Sequence, residues 1–66
     1  MAVLKVIEVL ANSNKSWEDA TQNAVKQAAK SVKHVRSVYV KEMSANVDGE
    51  DITEYRVNVK ITFEVK

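Results

Sequence analysis

The stretch Tyr55–Lys66, YRVNVKITFEVK, decides how this chain folds. Tyr55, Val57, Val59, Ile61, Phe63 and Val65 fall on one parity; Arg56, Asn58, Lys60, Thr62, Glu64 and Lys66 fall on the other. Side chains alternate across a strand, so the pattern predicts one long strand with an apolar and a polar face. A dozen extended residues span about 40 Å. One helix covers only part of that length, so the excess points to something outside the subunit.

Immediately upstream, VDGED around Asp48 and Gly49 is a hairpin signal. It joins the long strand to a second one, Ser37–Val47, whose alternation is less regular. Before that, S-W-E-D marks a helix start: Ser16 can cap the amide three residues on, and Asp19 is a weak reciprocal capping-box acid. Glu18 and Asp19 then sit at the positive end of the helix dipole, with Lys30, Lys33 and His34 at the negative end. Trp17, Ala20, Ala24, Val25, Ala28, Val32 and Val35 recur at three- and four-residue steps as one apolar stripe. The alanines in it imply close approach to a sheet. Val3–Leu10 reads as the first strand, and its apolar residues on both parities predict burial on both faces. A polar loop, ANSNKS, follows it.

The order is β-α-β-β, an α+β fold in which a three-stranded antiparallel sheet wraps around one helix. With no Pro, a single Gly and no linker or repeat, residues 1–66 are expected to form a single domain. A domain of 66 residues buries only about 60% of its unfolded surface. Ordering costs roughly 1.5 kcal/mol per residue, which nearly cancels the hydrophobic gain at this size. Small domains therefore usually carry a staple. The chain has no Cys, which removes disulfides, thiolate metal sites and a thiol nucleophile, so association between subunits is the expected staple.

Ten basic residues face nine acidic ones, interspersed along the chain, which is no nucleic-acid signature. The apolar start MAVLKVIEVLA is interrupted by Lys5 and Glu8 and is too short for a membrane span. A cytoplasmic protein is expected. The one histidine, His34, cannot build a triad or a multi-histidine metal site within one chain and reads as a dipole cap. Trp17 reads as core packing and Tyr39 and Tyr55 as ordinary strand residues. Asp48, Glu50 and Asp51 are candidate oxygen ligands for a metal, although turns favour such residues for backbone reasons and the spacing is not that of an EF-hand. One glycine cannot cradle phosphates, and no nucleophile has a visible base, so the chain is not expected to be an enzyme.

Taken in order, KVIEV, a Ser-containing loop, SWEDATQNAVKQAAKSV, VYVKEM and YRVNVKITFEV resemble the dodecin family over nearly the whole chain. The resemblance implies a homododecamer: a hollow sphere of twelve subunits with cubic symmetry, in which the long hairpin makes intersubunit contacts and lines ligand sites. Flavin-binding dodecins (FMN, FAD or riboflavin) stack a strand-two tryptophan on the isoalloxazine ring and contact it with a strand-three glutamine. Here Ser37 stands where that tryptophan belongs and Arg56 where the glutamine belongs. Stacking is worth on the order of 1–3 kcal/mol per ring in nucleic-acid sites, and Ser37 offers no ring. Arg56 can hydrogen-bond or stack through its guanidinium plane, but brings charge. The S-W-E helix start and the missing tryptophan are more similar to a non-flavin, calcium-binding branch. The resemblance thus implies a non-catalytic assembly that binds or stores a small ligand or ion between subunits, with flavin binding weakened or lost. A flavin dodecin with an altered pocket, and a structural shell stabilised by calcium, remain alternatives.

Overall fold

The computed structural model describes residues 2–65; Lys66, the last polar member of the alternating stretch, lies outside them. Strand β1 spans Val3–Ser13, helix α1 Trp17–Ser31, strand β2 Val35–Asp48 and strand β3 Asp51–Val65. The sheet is antiparallel with order β1-β3-β2. Strand β3 is therefore central and hydrogen-bonded on both sides, and it is also the strand with the cleanest alternation. Its fifteen residues account for the 51 Å long axis of the molecule, at about 3.3 Å per residue.

Val57, Val59 and Ile61 of β3 are fully buried against Ala20, Ala24 and Ala28 of α1. The alanines let the helix lie close to the sheet. Ile7, Val9, Ala11, Trp17, Val32 and Val35 pack around that centre. The helix starts as its sequence requires: the Ser16 hydroxyl accepts from the Asp19 amide at 2.9 Å. The Asp19 carboxylate accepts from the Ser13 hydroxyl at 2.6 Å, tying the helix start to the end of β1. Ser13 Oγ in turn accepts from the Lys15 amide at 2.9 Å, so that buried hydroxyl both donates and accepts.

Three expectations need adjusting. Strand β1 runs on to Ser13, because Ala11, Asn12 and Ser13 pair with Val57, Arg56 and Tyr55 of the long β3. Only one face of β1 is covered within the chain. Ile7, Val9 and Ala11 meet the core, whereas Leu4, Val6 and Leu10 are 55%, 56% and 68% exposed on the opposite face. The helix ends at Ser31, so Lys33 and His34 lie beyond it. His34 occupies the left-handed region, φ 61°, and its carbonyl accepts from the Glu64 amide at 3.0 Å. It turns the chain into β2 and does not cap the helix.

The uneven alternation of β2 has a physical cause. Its register against β3 shifts between Val35 and Ser37, between Val40 and Glu42, and between Asn46 and Val47. The shift at Lys41 transfers the core-facing parity from Val38 and Val40 to Met43 and Ala45. At the hairpin tip Asp48 pairs with Asp51, and Gly49 takes φ 65° at the first central position, the backbone a tight primed turn needs there.

Candidate ligand site on the outer sheet face

The face of the sheet turned away from α1 carries the polar parity of β3. Pairing sets rows across it: Val6, Thr62 and Ser37; Glu8, Lys60 and Tyr39; Leu10, Asn58 and Glu42; Asn12, Arg56 and Ser44. Apolar positions of β1 therefore flank polar ones of β3 and β2.

Arg56 is held by a closed ring of side chains. Its Nε donates to Asn12 Oδ1 and its Nη2 to Asn46 Oδ1, both at 3.3 Å. The amide groups of Asn12 and Asn46 donate to the same Glu54 oxygen, at 3.3 and 3.2 Å. Each asparagine thus bridges the guanidinium and the carboxylate, and the side chain of Arg56 is tethered at two of its nitrogens. Beside it lies a pocket of about 280 Å³ lined by Leu10, Glu42, Met43, Ser44, Arg56 and Asn58. Asn58 Nδ2 donates to Glu42 at 3.5 Å. A hydrogen bond from Asn58 and the charge of Lys41 together hold the Glu8 carboxyl below its ordinary pKa. Lys41 Nζ lies 3.5 Å from Glu8.

Ser37 lies on the same outer face as Arg56 but is not brought to it. It pairs with Thr62, six residues along β3 from Arg56, a separation of about 20 Å. One flavin ring cannot touch both within a single chain. Ser37 is exposed, and the aromatic pair nearest the hairpin, Trp17 with Tyr55, meets edge-on at 4.9 Å on the helix side of the sheet. Trp17 also donates Nε1–H to the Ser44 carbonyl at 2.9 Å, so its packing role comes with a tether to β2.

Asp48, Glu50 and Asp51 stand exposed at the hairpin tip. Among the described residues no three His, Cys, Asp or Glu side chains converge as a metal cage. The chemistry of these acids suits a hard cation, but calcium asks for six to eight oxygens, so one chain does not fit it. Nor is any helix among the described residues long and apolar enough to cross a membrane.

Sequence reading found Arg56 and missed its partners. Asn12, Asn46, Glu42 and Ser44 reach it or its pocket only through strand pairing, which no local motif encodes. Glu54 and Asn58 share its parity two residues either way and could have been named from the alternation alone.

A family model for dodecins matches residues 3–66, and the chain belongs to that family. The calcium dodecin of Mycobacterium tuberculosis is 35% identical over 66 residues, covering all of this chain and 93% of its own. Its crystal structure is described as that of a calcium-chelating immunodominant antigen with a novel calcium-binding site. It matches with a TM-score of 0.82 over 97% of this chain and 91% of that one. A Thermus thermophilus dodecin variant is 27% identical with a TM-score of 0.94, covering 100% of this chain and 98% of that one. Dodecin from Streptomyces davaonensis, at 17% identity and a TM-score of 0.93 over 98% and 96% of the two chains, shares the fold. More sequence is shared with the calcium dodecin, and more geometry with the Thermus protein.

Proposed function

We propose that the chain, as a single domain, is the subunit of a non-catalytic homododecamer that binds or stores a small ligand or ion between subunits. The observation that carries this is the outer sheet face: Leu4, Val6 and Leu10 are more than half exposed beside an ordered polar ring around Arg56. Apolar residues grouped on a single sheet face ask for a cover, and a symmetric neighbour presents one of the same kind. A second subunit is also the means by which a Ser37 position and an Arg56 position, about 20 Å apart in one chain, come to line one cavity.

Flavin binding of the family type is weakened or lost in this reading. Ser37 has no ring to stack, and Arg56 places a cation where the resemblance puts a neutral glutamine. A flavin fluorescence titration tests it: little or no saturable quenching is expected, and tight quenching overturns the reading. Ser37→Trp combined with Arg56→Gln is expected to restore part of the binding. A double variant as inert as the parent contradicts the assignment of these two positions.

A second reading, in which calcium stabilises the shell, is favoured by the 35% identity to a protein named calcium dodecin. The carboxylates of Asp48, Glu50 and Asp51 are its candidates, each needing oxygens from neighbouring subunits to complete a shell. Loss of the assembly on chelation supports this reading, and an assembly indifferent to chelator removes it. Localisation in the cytoplasm and the absence of nucleic-acid or membrane partners belong to the same proposal, resting on the balanced, interspersed charge.

A further inference from the structure

The pocket beside Arg56 combines three features. It holds a cation and an anion that do not pair with each other: among the described residues the ion pairs are Arg36 with Glu64 and Lys41 with Glu8, and neither includes Arg56 or Glu42. The cation is preorganised, since Asn12 and Asn46 fix two of its nitrogens and leave further guanidinium donors unused. The remaining wall is apolar at Leu10, with Ser44 paired to Arg56 in the guanidinium row.

We propose that this pocket takes a free α-amino acid with an apolar side chain, its carboxylate on Arg56 and Ser44 and its ammonium on Glu42. A simple anion would meet the carboxylate of Glu42, and a simple cation would meet the guanidinium of Arg56. A zwitterion satisfies both. Arg56 and Glu42 sit in rows two residues apart along β3, about 7 Å. Neighbouring rows on one face thus offer a cation and an anion to the two charged groups of one small zwitterion, each through a charge-assisted hydrogen bond. Asn58, which also lines the pocket, donates to Glu42 at 3.5 Å. Leu10, 68% exposed without a ligand, gains cover from the side chain. The cavity of about 280 Å³ lies just under the range for drug-sized ligands and suits one residue-sized molecule.

The inference rests on the reading of the outer face as a ligand face. Its test is calorimetric titration of L-leucine into the purified protein, with 3-methylbutylamine and 4-methylpentanoate as the analogues lacking one charge. Saturable binding of L-leucine is expected, with each analogue weaker by at least about tenfold, because each loses one charge-assisted anchor. Arg56→Gln and Glu42→Gln are expected to weaken L-leucine by a similar factor. No saturable heat, an analogue that binds as well as leucine, or variants that bind like the parent each overturn the proposal. The analogue comparison needs no variant to fold. Mass measured on the same sample separates the two ideas: an intact particle that ignores leucine refutes the pocket alone, whereas a monomer refutes the assembly.

Discussion

Replacing Val6 by Lys perturbs the outer face while leaving the core of the subunit untouched. Val6 pairs with Thr62 on the face away from α1 and is 56% exposed. Full burial of a valine side chain stabilises by about 1.5–3 kcal/mol, so a little over half, about 0.8–1.7 kcal/mol per chain, is left for a neighbouring copy to collect. Lysine forfeits that and brings an ammonium whose unpaired burial costs several kcal/mol more. Within the subunit the change is small, because the side chain points to solvent and strand preferences span only ~1 kcal/mol. Native mass spectrometry with circular dichroism reads the outcome. The expected result is loss of the large particle at concentrations where the parent assembles, together with a lower thermal midpoint. A Val6→Lys protein with the parent's mass and the parent's midpoint would refute the claim that this face is an interface.

Other perturbations test the subunit. Ser16→Ala removes the acceptor for the Asp19 amide and should cost about 1 kcal/mol in urea unfolding; an unchanged midpoint would mean the cap contributes nothing. His34→Gly relieves a side chain held at φ 61° and should raise stability by up to about 1 kcal/mol, whereas a loss would show that the imidazole makes a contact that outweighs the strain. The Glu8 carboxyl has a lowered pKa from the Asn58 hydrogen bond and Lys41. It therefore stabilises the fold above its ordinary value of 4.5, and that contribution disappears as pH falls through the lower folded value. Glu8→Gln should flatten the acid limb of the stability curve; a parallel limb in the variant would assign acid sensitivity elsewhere.

Strand β3 was legible because it is central: with partners on both sides and a helix over one face, only strict alternation satisfies it. The helix was legible through Ser16 and the alanine stripe. Strand β2 was not read cleanly because its register shifts exchange faces at Lys41, and a bulge leaves no residue-type signature there. The end of β1 looked like loop because Asn12 and Ser13 are polar, yet Asn12 serves Arg56 and Ser13 serves Asp19. The leftover apolar parity of β1, Leu4, Val6 and Leu10, was visible in the sequence as burial on both faces. Within one chain that burial has no cover, and the outer face is where it is left unmet. Of the site, Arg56 could be placed on its face from parity. Its ring of asparagines and the pocket with Glu42 exist only once β1 and β2 are paired to β3.

Native mass spectrometry of the protein as purified tests the central claim, that the outer face is shared between copies. Twelve chains of 7.4 kDa make a particle of about 89 kDa, and that mass is predicted, with any retained ligand or ion readable as an added increment. A 7.4 kDa monomer would contradict the account and return the polar face of YRVNVKITFEVK to ordinary solvated surface.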